Sequence, residues 1–280
     1  GIDKEGKNRT AVCCLSSLNL EKYDEWKNDK NFIKDIMKFL DNVLTDFIEK
    51  APEEFSDAAY SALRERSVGL GVMGLHSYFQ QKMIPIESVM SKVWNKKIFE
   101  HIQEEVDQAS KDLAEERGPC PDAADYGINE RFSNKTAIAP TASISIICGG
   151  TSPGIEPIAA NSFTHKTLSG SFNVRNKYLQ QILEKYNKND DETWSGITTN
   201  QGSVSHLDFL TQKEKNVFKT AFEINQQWIV ELGADRTPNI SQAQSINIFV
   251  PADVHKKELH QIHFQAWKKG LKSLYYCRSK

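Results

Sequence analysis

Apolar residues recur along this chain with two different periods, and their alternation predicts strands separated by amphipathic helices. The clearest helical stripe lies in 31–50, where Ile33, Ile36, Met37, Leu40, Val43, Leu44 and Phe47 share one face. Pro52 ends it, and Glu53–Arg66 opens another helix. A longer stripe in 88–117 carries Trp94, Ile98, Ile102, Val106, Ala109 and Leu113, and stops at Gly118-Pro119. Further helices are predicted over 178–186, 211–232 and 253–270. The second of these turns Val217, Ala221, Ile224, Trp228 and Leu232 inward and closes at Gly233. Strand-like runs fall between them: Arg9–Ser17, Thr136–Ala139, Ile158–Thr167, Ser245–Val250 and Lys272–Cys277. In 67–74, Gly69, Gly71 and Gly74 predict a close backbone approach before a short helix. Residues 118–134 read as a polar loop and 187–210 as surface helical turns and loops. The pattern predicts an α/β fold with long amphipathic helices, forming a single unit over 1–280 without an internal boundary.

Composition narrows the class. A chain of 280 residues can bury a sizeable core. Lys plus Arg number 35 against 37 for Asp plus Glu, and the net charge of −2 argues against a dedicated nucleic-acid binder. No apolar run approaches a membrane span, and no signal-peptide pattern opens the chain, which begins Gly-Ile-Asp rather than Met. Five cysteines, at 13, 14, 120, 148 and 277, are odd in number and show no CxxC or Cys/His zinc spacing. That usage suits a reducing compartment, so a cytoplasmic protein is expected, without nucleic-acid or membrane partners. The seven histidines are scattered, and no metal site is expected in this chain.

The most informative stretch is 137–157, AIAPTASISIICGGTSPGIEP. A short apolar run meets Pro140, and Thr141, Ala142, Ser143, Ile144 and Ser145 follow at once. Such a break into a hydroxyl-rich helix start leaves backbone N–H groups that suit an oxyanion, and Gly149, Gly150 and Gly154 let the chain pass close to a ligand. On spacing alone an ordinary capped strand–turn–helix is the favoured reading.

Several segments in order carry a resemblance: Ala11-Val12-Cys13-Cys14-Leu15-Ser16-Ser17-Leu18-Asn19-Leu20, then Ala139–Ser145, Gly154-Ile155-Glu156-Pro157, Leu168-Ser169-Gly170, and finally His263–Tyr276. Together they resemble the large subunit of class I ribonucleotide reductase, over essentially the whole chain. The resemblance implies the C-terminal half of that subunit's ten-stranded α/β barrel. It implies that Cys13 is one of two reducing thiols, although a lone strand cysteine is ordinarily a small buried hydrophobe. Cys14, on the opposite strand face, reads as structural. It implies that Tyr275 and Tyr276 relay an electron and a proton, although paired aromatics are common in strands. Thr141, Ala142, Ser143, Ile144 and Ser145 would cradle the substrate's phosphates, chiefly through backbone N–H groups. Cys120 and Cys148 read as packing residues.

What the resemblance implies beyond this chain is equally specific. The Asn-x-Cys-x-Glu stretch that bears the family's thiyl radical is not found around any of the five cysteines. The second reducing cysteine, the effector loops and the shuttle cysteine pair are not found either. The implied partners are therefore an N-terminal portion of the large subunit and a small subunit carrying a diiron or related tyrosyl-radical cofactor. An external dithiol such as thioredoxin or glutaredoxin would serve as reductant, and a ribonucleoside diphosphate as substrate. No cofactor is expected to bind this chain directly. The expected reaction is reduction of ribonucleotides to 2′-deoxyribonucleotides. The alternatives are a non-catalytic truncated paralogue that binds the small subunit or nucleotide, and a generic nucleotide-phosphate binding domain.

Overall fold

A computed structural model describes residues 1–167 and 170–280. Their strands are β1 (Leu15–Asn19), β2 (Gly69–Met73), β3 (Ser162–Thr167), β4 (Gly170–Arg175), β5 (Ile248–Val250) and β6 (Cys277–Ser279). The helices of the first half are α1 (Tyr23–Trp26), α2 (Phe32–Lys50), α3 (Ser56–Glu65), α4 (Leu75–Gln81), α5 (Val89–Arg117) and α6 (Pro121–Ala124). Those of the second half are α7 (Ile144–Ile147), α8 (Lys177–Lys185), α9 (Asp191–Thr199), α10 (Gln212–Val217), α11 (Gln226–Arg236) and α12 (Lys256–Lys268). The α/β class read from the pattern holds. The chain packs as two compact units whose segments interleave. One holds 1–72, 96–139 and 236–244, and the other holds 73–95, 140–235 and 245–280. Leu168 and Ser169 of the resemblance lie outside the described residues.

In the first unit, two glycines decide how closely the central segments approach. A Cβ on Gly71 would lie 2.1 Å from the Ala137 carbonyl oxygen, and one on Gly69 would lie 2.3 Å from Leu15 Cδ2. β2 therefore lies between β1 and the segment 136–138. Leu70 bridges Thr136 in parallel, and Ile138 bridges Gln244. The expected strand at Thr136–Ala139 is present only as these bridges. The apolar stripes of the two long helices are buried as predicted, with Ile33, Met37, Leu40 and Leu44 on α2 and Ile98, Ile102, Val106 and Leu113 on α5. Asp41 on α2 is fully buried and receives Arg66 Nε at 2.7 Å, Arg117 NH1 at 2.7 Å and Arg131 Nε at 2.9 Å. Burial alone would raise this carboxyl, but the guanidiniums outweigh it and hold Asp41 below the usual range.

The first strand departs from expectation. Arg9–Ser17 was the predicted span, yet β1 covers Leu15–Asn19. Residues 9 and 10 direct their backbone donors elsewhere: Arg9 N donates to Gly1 O (2.7 Å) and Thr10 N to Asp57 O in the first turn of α3 (3.4 Å).

In the second unit, residues 187–210 form a helix and turns that are exposed over most of their length, but they also bury an apolar side. Trp194 and Ile197 of α9, with Val204, Leu207 and Leu210, close a buried cluster with Leu179, Ile182 and Leu183 of α8 and Val217 and Phe218. The helix expected over 211–232 is two helices. Thr211 and Glu214 form a capping box that starts α10. The chain then turns where Thr220 N and Oγ1 both donate to Glu223 Oε2 at 2.8 Å, and Ala221 N donates to Ile158 O at 2.8 Å. α11 continues through Gly233 to Arg236, and the glycine there serves close packing rather than helix termination, since a Cβ would meet Ile246 Cδ1 at 2.8 Å. The strand predicted over Ile158–Thr167 is β3, antiparallel to the unpredicted β4 with Ser162 opposite Arg175 and Thr167 opposite Gly170. β5 and β6 run parallel, covered by Val230 of α11 and by Ile262 and Ala266 of α12. The last strand is Cys277–Ser279 rather than Lys272–Cys277, for a reason that lies in the tyrosine pair itself.

Candidate functional site

Cys13 belongs to the first unit. It is exposed and helps line an open cleft of about 390 Å³ together with Val12, Cys14, Phe39, Val43 and Phe47 among others. Cys14 is half-buried, with its Sγ 3.8 Å from Leu40 O and its carbonyl accepting from Gly69 N at 2.9 Å. Burial, with the neighbouring Cys13 thiol, pushes the Cys14 thiol up. Adjacent residues thus meet different environments, one open to a reaction partner and one anchored in the wall.

The hydroxyl-rich loop and the tyrosine pair both belong to the second unit. Thr141 takes a left-handed conformation, φ 52°, unusual for a β-branched residue. It is held there because its Oγ1 accepts from Gly154 N at 2.7 Å and its carbonyl accepts from Ser145 N at 3.0 Å. Ser145 is buried, and its hydroxyl donates to Ala142 O at 3.3 Å. The hydroxyls of Thr141 and Ser145 therefore shape the loop. Ala142, Ser143 and Ile144 are exposed, and their backbone N–H groups make no hydrogen bond to other described residues. Downstream, Ser152 N donates to Ser77 Oγ (2.9 Å) while Ser77 N donates to Ser152 Oγ (3.1 Å). This reciprocal pair pins the loop to α4.

Tyr275 and Tyr276 stand with ring centroids 4.3 Å apart and planes inclined at 54°. In a regular strand, adjacent side chains point to opposite faces. The backbone shows why these do not. Tyr275 N donates to Ile246 O at 2.8 Å, and Ile248 N donates to Tyr276 O at 2.8 Å. A regular parallel ladder would use one residue for both bonds, opposite Asn247. Here two residues oppose one, which is a β-bulge, and regular pairing resumes only at Ile248–Cys277. The bulge leaves Tyr276 N without a ladder acceptor, and Asn247 Oδ1 takes it at 3.1 Å. The other end of that amide, Nδ2, donates to Glu156 Oε2. The adjoining Tyr276 phenol pushes that of Tyr275 above the usual tyrosine value. Arg278 lies 5.7 Å from the centre of the Tyr276 ring.

Comparison with known proteins fixes the lineage. The family model described as ribonucleotide reductase, barrel domain, matches residues 2–127 and 122–277. The chain belongs to this family. It is 53% identical over 275 residues to the ribonucleoside-diphosphate reductase large subunit of Invertebrate iridescent virus 6, a match covering 97% of the chain and 28% of that protein. It is 47% identical to the large subunit of Invertebrate iridescent virus 3, covering 98% of the chain and 44% of that protein. The Actinobacillus ureae class Id ribonucleotide reductase alpha subunit superimposes with a TM-score of 0.90 at 38% identity, over 98% of this chain and 50% of that one. The chain therefore corresponds to part of a reductase large subunit, half or less of the length of these relatives. The resemblance read from the sequence is borne out at the level of family and barrel fold.

In the second unit, Glu156, downstream of the hydroxyl-rich loop, reaches Asn247 and through it Tyr276. Sequence reading assigned no role to Glu156 and did not single out Asn247. The signal was an amide inside the apolar strand run 245–250, and Asn247 is only 2% exposed. Among the described residues, no group of three or more His, Cys, Asp or Glu side chains is placed to hold a metal ion. No described helix is long and apolar enough to cross a membrane.

Proposed function

We propose that this chain is the C-terminal part of a ribonucleoside-diphosphate reductase large subunit, acting in the cytoplasm with an N-terminal portion of that subunit and a radical-generating small subunit. The reaction replaces the ribose 2′-hydroxyl with hydrogen. Two thiols supply two electrons and two protons, the hydroxyl leaves as water, and the thiols join as a disulfide. Cys13 is one of those thiols, and an external dithiol such as thioredoxin or glutaredoxin restores the pair. Substrate phosphates rest on the N–H groups of Ala142, Ser143 and Ile144 and on the Ser143 hydroxyl, with Thr141 and Ser145 holding the loop in shape. Tyr276 faces the small subunit, where the diiron or related cofactor resides, and Tyr275 faces inward. Each phenol loses an electron together with its proton and is restored by its neighbour.

The observation that carries this reading is the bulged tyrosine pair, with rings 4.3 Å apart in a member of the reductase family. Neutral phenols in such contact can exchange an electron and a proton without leaving a charge behind. The test is ribonucleoside-diphosphate reduction by this chain with the N-terminal portion, small subunit and dithiol. Tyr276→Phe is expected to abolish turnover while nucleotide binding persists, because Phe has no phenolic proton to lose. Cys13→Ser is expected to abolish multiple turnover. Turnover by Tyr276→Phe near the native rate would overturn the relay. Absence of activity despite a stable complex of the portions would favour a non-catalytic paralogue.

A further inference from the structure

We infer that Asn247, anchored by Glu156, is the positioning residue of the tyrosine pair: it accepts the N–H that the bulge orphans, and so fixes the spacing of the two phenols. This rests on the proposed relay, and it adds two residues to which sequence reading gave no role.

Three observations converge. First, the bulge is what makes the two rings neighbours, because without the extra residue Tyr275 and Tyr276 would point to opposite faces. Second, a parallel bulge is rare, and its unpaired N–H needs an acceptor to persist. Asn247 is the residue directly opposite the bulge, and its side chain supplies that acceptor at 3.1 Å. Third, the amide can be oriented in one way only. Tyr276 N–H can only donate, so Oδ1 must face it and Nδ2 must face outward. Glu156 meets Nδ2 as an acceptor. Burial, partly offset by Asn247 and Arg278, raises the Glu156 carboxyl above the usual glutamate value. A carboxyl is retained in this half-buried place although a neutral side chain would avoid the desolvation, and the amide it orients is what it has to show for it.

A pair of variants separates positioning from bulk. Asn247→Asp keeps an acceptor for Tyr276 N–H but sets a second carboxylate against Glu156 and loses the Nδ2 donor. Adding Glu156→Gln to it restores a donor–acceptor pair of reversed polarity. The chain has eight tyrosines, so ¹⁵N-tyrosine labelling gives a simple amide spectrum in which Tyr276 is assigned by its loss in Tyr276→Phe. In Asn247→Asp, repulsion from Glu156 is expected to draw the new carboxylate off Tyr276 N–H and so to speed Tyr276 amide exchange about tenfold, as loss of one hydrogen bond does. It is expected to lower turnover of the assembled reductase by about 100-fold, the loss that ~1 Å of misplacement brings. The double variant is expected to recover both. Should Asn247→Asp not fold, Glu156→Gln, which keeps a carbonyl acceptor, is compared with Glu156→Leu, which does not. Slow exchange in the first and fast exchange in the second supports the clamp.

Unchanged exchange and turnover in Asn247→Asp would overturn the inference. So would fast exchange with native turnover while Tyr276→Phe is inactive. Native turnover by Tyr276→Phe would instead bring down the relay, with the amide exchange still reporting the clamp.

Discussion

His76 gives a stability prediction whose sign and size follow from its surroundings. It is 1% exposed on α4, and burial pushes its pKa down to about 3 from an ordinary 6.5, against a raising contribution from the Val217 backbone. Its Nδ1 accepts from Ile158 N at 3.0 Å, so a proton there would face another donor. The folded pKa lies below the unfolded one, so between these values the unfolded chain binds the extra proton. Stability from this source is complete above pH 6.5 and lost as pH falls toward 3. At pH 5 the loss is about 2 kcal/mol, and below pH 3 it approaches about 5 kcal/mol. The informative variant is His76→Asn, whose amide oxygen still accepts from Ile158 N but does not titrate. Urea unfolding followed by tryptophan fluorescence at pH 7.5 and pH 5 reads both proteins. The native chain should lose about 2 kcal/mol more than the variant over that interval. Other titrating groups, Glu156 with its opposite sign included, cancel in the difference. Equal pH dependence in the two proteins would refute the assignment of a buried neutral imidazole.

Two further outcomes concern the first unit. Gly71→Ala places a Cβ 2.1 Å from the Ala137 carbonyl oxygen, so β2 must withdraw from its neighbour. A loss of about 1–3 kcal/mol is expected in chemical unfolding. Asp41→Ala strips the common partner from Arg66, Arg117 and Arg131, and with Arg66 buried the loss should be about 3–5 kcal/mol. A fall in melting temperature on replacing Asp41, larger than that on replacing exposed Asp46, checks it.

The long helices were legible because their stripes are uninterrupted: α2 and α5 bury the predicted faces. The buried cluster around Trp194 was not, because Asn200-Gln201-Gly202 divides its apolar residues into pieces too short to show a period. The break between α10 and α11 depends on hydrogen bonds from Thr220 to Glu223 that no periodicity records. β4 was missed because its six residues are exposed and largely polar. Among the candidate site residues, Cys13, the hydroxyl-rich loop and the tyrosines were singled out through the family resemblance of the segments around them. Asn247 and Glu156 stand far from Tyr276 in sequence and meet it only through strand register, which a linear reading does not contain.

The interleaving of the two units carries a consequence for synthesis. The ladder of the first unit is completed by 236–244: Ser241 N donates to Thr136 Oγ1 at 2.8 Å, Gln242 Nε2 to Val68 O at 2.9 Å, and Ile138 bridges Gln244. At ribosomal rates of ~5–20 residues per second, Gln244 emerges ~5–20 s after Ala139. During that interval the 136–138 edge of the nascent sheet stands open while the second unit is being made. The first unit can therefore close only once 236–244 has been made, and until then its open edge is a site for mispairing.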